Sequence, residues 1–242
     1  MQAVLFFFFA FICEILGTLA GFGSSVIFVP LANFFYSASL VLSLTSILHV
    51  FSNTSKIWLF WKHIDWKLFW MYGIPSLVLT IVGALLTNIY PSTYIEWGLA
   101  IFLIFFSALL LIFPHLKLNA VPSNAIVSGG LAGFLAGFMG TGGAIRGMSL
   151  VAFNLEKSAF VGTSAAIDFG VDFSRMIIYF QNGFFDWKYL TYVPLLFVAS
   201  FLGSYIGKKL LDRISADYFR KVVLLLIFFI GIAMIFKLNQ LP

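Results

Sequence analysis

The chain has 242 residues, of which 62% are apolar, 19% aromatic and only 10% charged, with a mean hydropathy of +1.05. Soluble domains run at about 45–50% apolar and about 25% charged, so the composition excludes a water-soluble globular enzyme, a nucleic-acid-binding module and a disordered tail. A helix needs about 20 apolar residues to cross a bilayer, and spanning segments would consume most of this chain. The class is an all-α membrane protein whose surroundings are the lipid bilayer, with no room for a soluble domain. The net charge of +5 marks cytoplasmic loops rather than an acidic partner, and nothing points to nucleic acid. Cys13 is the one cysteine, so neither an internal disulfide nor a cysteine-based metal cluster is expected. No cofactor and no metal site are expected. The stretch from Met1 to Leu16 lacks the basic start and small-residue cleavage site of a removable signal peptide, and is expected to stay as the first membrane element.

In chain order, apolar runs between polar, proline or glycine punctuation predict helices near 2–20, 25–36, 39–61, 68–88, 95–113, 122–139, 143–154, 158–181, 188–207 and 218–238. The pieces 25–36 and 143–154 are too short to span. Each follows a glycine cluster, Gly17, Gly21 and Gly23 in the first case and Gly137, Gly140, Gly142 and Gly143 in the second. A helix broken at such depth is tolerable only where its freed backbone is buried in protein or lines a cavity.

The two clusters belong to an internal repeat. Adding 119 carries Gly21 to Gly140, Gly23 to Gly142, Leu31 to Leu150, Phe34 to Phe153, Asn53 to Asp172, Ser55 to Ser174 and Lys56 to Arg175. Downstream the register drifts, because Asp65-Trp66-Lys67 meets Asp186-Trp187-Lys188 only after adding 121. The sequence therefore divides into two repeats, 1–118 and 119–242, each a glycine-broken helix plus three spanning helices. Two arrangements follow for the broken helices. If each broken pair crosses once, the loop cations divide almost evenly between the two faces. If each is a re-entrant hairpin, Lys62, Lys67, Lys117, Lys157, Lys208, Lys209, Arg213, Arg220 and Lys221 share one face, and only Lys188 and Lys237 lie on the other. The second arrangement obeys the positive-inside rule and makes the repeats inverted, a recurrent transporter plan. Against it, residues 2–20 are long enough to span alone.

Several residues could carry chemistry. A helix that starts inside the protein presents unpaired N–H groups and about half a positive charge. The donors would come from Ser24, Ser25 and Val26 after Gly23, and from Gly143, Ala144 and Ile145 after Gly142. They read as an anion site or as glycines that merely let helices pack closely. Asp168, Asp172 and Arg175 share one helix face at i, i+4, i+7, as do their register partners His49, Asn53 and Lys56. Each charge near the bilayer centre costs about 2.5–3.5 kcal/mol on insertion scales, so this face should look inward. His49, Asp168 and Asp172 are candidates for proton coupling, and Asp172 with Arg175 also reads as a structural ion pair. Arg146 has the forked donors that suit an oxyanion, with Arg175 and Lys56 as further cations that could supply charge to it. Glu14 reads as the partner of a membrane cation or as a coupling group. Thr45, Ser46, Thr163 and Ser164 lie a turn before the charged face, as cavity hydroxyls or interhelical contacts. No HExxH helix, P-loop or G-x-S-x-G elbow is present, so an enzyme is not expected.

The turns Gly21-Phe-Gly-Ser-Ser-Val-Ile-Phe-Val-Pro-Leu31 and Gly140-Thr-Gly-Gly-Ala-Ile-Arg-Gly-Met-Ser-Leu150 resemble those of the TauE/SafE family of sulfite exporters, whose repeated pattern is a G-x-G-G-G turn leading to Pro-Leu. The resemblance runs over nearly the whole chain. It implies export or uptake of small sulfur-containing or organic anions, in bacteria across the inner membrane. Ser24 and Ser25 replace glycines in the first turn; Ala144 replaces the third glycine and Ser149 the proline in the second. The expectation is a secondary transporter of a small anion, with a channel on the same scaffold as the alternative and an intramembrane enzyme behind both.

Overall fold

The computed structural model of the chain describes residues 2–20, 23–114, 116, 118–211 and 216–240. Gly21 of the first turn, Lys117, Arg213 and the Arg220 side chain lie outside the described residues. Ten α-helices account for the expected segments: α1 (Gln2–Ala20), α2 (Ser25–Ala32), α3 (Ala38–Phe60), α4 (Trp66–Leu86), α5 (Ser92–Ile112), α6 (Pro122–Met139), α7 (Gly143–Val151), α8 (Lys157–Gln181), α9 (Tyr192–Leu211) and α10 (Ala216–Asn239). Single 3-10 turns precede α4 and α9, at Trp61–His63 and Trp187–Tyr189. Among the described residues there is no strand.

Among the described residues, four helices combine spanning length with spanning hydropathy: Trp66–Leu86, Ser92–Ile112, Tyr192–Leu210 and Lys221–Asn239. Their outward faces are apolar and exposed, as at Ile74, Val78, Ile101, Phe105, Leu202, Leu225 and Phe229, which is what a lipid-facing surface requires. The longer helices α3 and α8 are less apolar because they pack against each other at the centre and carry the buried polar residues. Trp58, Trp61, Trp66 and Trp70 are exposed around the α3–α4 connection, where amphipathic rings suit the headgroup level.

Packing partners are exchanged across the chain. Helix α1 lies on α9 and α6 on α4, α3 pairs with α8, α5 with α10, and α4 and α9 close on α8 and α3 respectively. Small residues let the backbones approach. A Cβ at Gly129, Gly133 or Gly137 would lie 2.6, 2.0 or 2.1 Å from the carbonyl oxygens of Tyr72, Ser76 and Thr80, so only glycine fits at this i, i+4, i+8 stripe of α6. Ser76 Oγ donates to the Gly129 carbonyl (2.7 Å) and Thr80 Oγ1 to that of Gly133 (3.0 Å), which satisfies both hydroxyls in the seam.

The chain reverses at both glycine turns. Ser24 N lies 2.3 Å from where a Gly17 Cβ would stand, the Phe28 ring packs on Phe9 and Phe6 at 5.1 and 5.6 Å, and Tyr36 reaches Phe6 at 5.4 Å. Helix α2 thus returns along α1. Helix α7 returns along α6 in the same way: a Cβ on Gly142 would meet the Ala132 carbonyl at 2.0 Å, and Ser149 Oγ donates to Tyr72 Oη, which donates to the Ser128 carbonyl.

Helix α3, with 23 residues at 1.5 Å each, spans about 34 Å and fixes the two ends of the molecule. At its start, Tyr36 packs on Tyr189 at 5.8 Å, Phe6 on Tyr192 at 5.0 Å, and Lys237 donates to the Asn33 carbonyl. At its finish, Lys208 Nζ lies 4.3 Å above the Phe60 ring and Asp65 N donates to Thr163 Oγ1 (2.8 Å). Lys188 and Lys237 therefore lie at one end, and Lys62, Lys67, Lys157, Lys208 and Lys209 at the other.

Candidate functional site

The centre of the bundle holds a chain of buried charge between the two reversals. Glu14, fully buried on α1, accepts hydrogen bonds from Ser24 Oγ (2.6 Å), Lys56 Nζ (2.7 Å), Ser52 and Ser204 Oγ (3.2 Å). Four donors from α3, α9 and the tip of α2 satisfy a carboxylate that would otherwise be ruinous at this depth. Ser24 Oγ also lies 2.9 Å from His49 Nε2, and His49 Nδ1 stands 3.6 Å from Asp172 Oδ2. Asp172 further accepts from Asn53 Nδ2 (2.7 Å) and from Arg175 Nε (2.8 Å) and Nη2 (2.6 Å). Arg175 Nη1 donates onward to the Ala136 carbonyl at 3.1 Å. Beside this chain, Arg146 donates to Asp168 and, through Nε, to Ser164 Oγ at 2.8 Å.

Each membrane cation thus has a carboxylate: Lys56 with Glu14, Arg146 with Asp168, Arg175 with Asp172. The Asp172–Arg175 pair is the structural reading of those two residues, and Glu14 has the cationic partner that its isolation called for. Pairing keeps the insertion cost of six charges tolerable.

A cavity of about 50 Å³ opens beside this cluster, lined by Gly17, Gly23, Ser24, Lys56, Arg146 and Asp168, with His49, Asn53 and Ser164 also on its walls. On that measure one water needs about 10–15 Å³, so the space accommodates a few waters or one compact oxyanion. The turn that borders it is left-handed at Gly23 (φ +78°), and Arg146 Nη2 lies 3.6 Å from where a Gly23 Cβ would be. The Arg146 fork therefore reaches from the second reversal to the tip of the first.

The sequence-predicted residues fall into two groups. Gly23, Ser24, Lys56, Arg146, Ser164, His49 and Asp168 line the cavity. Asp172 and Arg175 lie behind it, engaged with Asn53 and Ala136. Ser25 Oγ meets Thr141 Oγ1 at 3.4 Å, where the two turns touch. Gly142 packs against Ala132 of α6, Gly143 and Ala144 are buried in the first turn of α7 and do not line the cavity, and Gly142 is not left-handed (φ −126°); in the second turn that conformation belongs to Gly140 (φ +79°). Thr45 and Ser46 donate to their own helix, to the carbonyls of Val41 (2.6 Å) and Ser43 (2.7 Å), and Thr163 holds the α3–α4 connection. Sequence reasoning left Gly17, Thr18, Ser52 and Ser204 out of the site, Gly17 being read only as one of the first glycine cluster. The first three lie one turn from residues already singled out, on Glu14's and Lys56's faces, whereas Ser204 has no local signal. Among the described residues no cluster of metal-ligating side chains occurs.

A multi-pass helical bundle with broken helices meeting over a buried ionic cluster is the architecture of a membrane transporter. The chain belongs to the sulfite exporter TauE/SafE family, whose pattern it matches over residues 6–234. Comparison with curated proteins and with solved structures gave no match.

Proposed function

We propose that the protein is a secondary transporter of sulfite or another small sulfur-containing or organic anion, bound near the midplane beside the α2 tip. The observation that carries this reading is the cavity itself: a left-handed glycine, a helix start and the Arg146 fork converge on a space the size of one small oxyanion. The start of α2 favours negative charge, its Ile27 amide being turned back onto the Ser24 carbonyl (3.1 Å). Arg146, Lys56, Ser24 and Ser164 are the side-chain ligands in this account. Because the cluster is charge-balanced, an anion enters at least cost together with a positive charge, and His49, Asp168 and Asp172 are the groups through which protons would be coupled.

Two repeats, 1–118 and 119–242, related as inverted halves with re-entrant hairpins α1–α2 and α6–α7, supply the frame. Reciprocal packing of α1 on α9 and α6 on α4 supports it. The lysine distribution between the two ends supports an orientation with the Lys62 end cytoplasmic, in a bacterial inner membrane. Between the cavity and the opposite end, α3 is fully buried from Leu42 to Leu48, which favours a carrier over an open channel. Proteoliposome flux over sulfite, sulfate, thiosulfate, sulfoacetate and simple carboxylates tests the reading. A saturable flux of sulfite that follows a second gradient is expected; flux of none of these anions refutes it, and turnover without net flux favours an enzyme.

A further inference from the structure

The cavity lies toward the Lys62 end, lined by the second half of α3 (His49 to Lys56) and the first half of α8 (Phe160 to Asp168), and the residues packed on its other side have counterparts at the cavity wall. At the Lys188 end a polar recess of about 410 Å³ is lined by Ser37, Ser39, Leu40, Phe184, Asp186 and Lys188. It approaches the inner cavity along α3, which contributes Leu40 to the recess and His49 to the cavity. Nine residues at 1.5 Å each separate the two by about 13 Å, and Leu42, Ser43, Leu44, Thr45, Ser46 and Leu48 are all at most 2% exposed in between.

Arg175 and Tyr179 occupy this barrier. Arg175 Nη1 donates to the Ala136 carbonyl (3.1 Å) and Tyr179 Oη to that of Gly137 (2.5 Å). Those carbonyls belong to the last turn of α6, where the helix end is negative; that of Ala136 also accepts the Gly140 amide (3.1 Å). The Tyr179 ring stacks on Phe184 at 5.8 Å, in one cluster with Leu42, Ala84 and Ile178.

Subtracting 119 turns these four positions into Lys56, Phe60, Gly17 and Thr18. There the same elements stand apart. Lys56 turns onto Glu14 and Ser52, Phe60 lies under Lys208, and Gly17 and Thr18 line the open cavity. The acids explain the difference. In the first half the carboxylate is on α1 (Glu14, register partner Gly133) and draws the cation into the cluster. In the second it is on α8 (Asp172, register partner Asn53) and holds the guanidinium beside the α6 carbonyls.

We propose that Arg175 and Tyr179 form a releasable clasp on the end of α6 that seals the Lys188 end while the cavity is open, and that Lys56 and Phe60 are the matching pair that closes over Gly17 and Thr18 when the clasp opens. Arg175 is then a gate residue rather than an anion ligand. The proposal rests on the transporter reading, and its test needs no substrate. Ser43 lies inside the barrier, fully buried, with its Oγ 3.4 Å from the Phe184 carbonyl. Ser43→Cys in a Cys13→Ala background, reconstituted in liposomes, is treated with a membrane-impermeant sulfonated thiol reagent from either side. Labelling should be slow from both sides, and Tyr179→Phe, which keeps the stacked ring, should accelerate it at least tenfold from the Lys188 end only. Arg175→Gln should do the same. Thermal unfolding of each variant shows that the bundle is intact. Unchanged labelling in folded Tyr179→Phe and Arg175→Gln, or rapid labelling of Ser43→Cys with the clasp intact, overturns the proposal. Absence of sulfite flux together with clasp-dependent labelling would reject the substrate and leave the gate standing.

Discussion

Arg146 is asked to do two things, neutralise Asp168 and meet the anion, and the two can be separated. Arg146→Gln removes the guanidinium and leaves the Asp168 carboxylate, only 9% exposed, without its cation. Breaking a buried pair from one side costs about 3–5 kcal/mol, and the cavity that both residues line admits water, which places the loss near the low end, about 3 kcal/mol. Asp168→Asn should cost less, about 2 kcal/mol, because an asparagine oxygen still accepts from Arg146 and Ser164 still holds its Nε. Arg146→Gln/Asp168→Asn replaces the ion pair by two amides and should return to within about 1 kcal/mol of the parent. Denaturant unfolding in detergent measures these losses. Sulfite flux in proteoliposomes should behave differently: Arg146→Gln and the double variant should both lose at least tenfold in apparent affinity, since stability is recovered but the forked donor is not. A stable double variant that transports sulfite with the parental KM would refute the assignment of Arg146 as a ligand.

Further outcomes follow from the two reversals. Single cysteines at Lys62 and Lys188 in a Cys13→Ala background should label from opposite sides of the membrane, whereas labelling of both from one side would show that the glycine turns span. Gly142→Val should unfold the protein before it harms binding, because its side chain would enter the Ala132 carbonyl. Gly23→Ala should cost only about 1–2 kcal/mol from its left-handed backbone while weakening sulfite binding, since its methyl would stand 3.6 Å from Arg146 Nη2. Calorimetry beside thermal unfolding distinguishes the two, and equal effects on stability would contradict the division of roles between the turns.

How much of this was legible in the sequence depends on the range over which each signal acts. Helix positions were, because apolar runs and glycine or proline breaks are local, and all ten segments appear at their expected places. The inward face of α3 and α8 was legible too, since insertion cost leaves charged residues at i, i+4, i+7 nowhere else to point. The direction each cation takes was not. Lys56 and Arg175 occupy matching positions, yet one turns to α1 and the other to α6, because their acids sit on different helices. The glycines carried two readings, packing and binding, that spacing does not separate. Four in seven residues suggested a second anion turn; Gly142 makes a close contact with α6, and the arginine of that segment reaches the tip of the first turn. Such distinctions depend on contacts between different helices, where repeat spacing gives a face but not a neighbour.

The central claim, that the cavity at the α2 tip is a site for one small oxyanion, is tested most directly by calorimetric titration of the detergent-solubilised chain with sulfite. The account predicts one saturable site per chain, weakened at least tenfold by Gly23→Ala or Arg146→Gln/Asp168→Asn in folded protein. Saturable binding that survives both changes at parental affinity, or no saturable binding of sulfite, sulfate, thiosulfate or sulfoacetate, would contradict it.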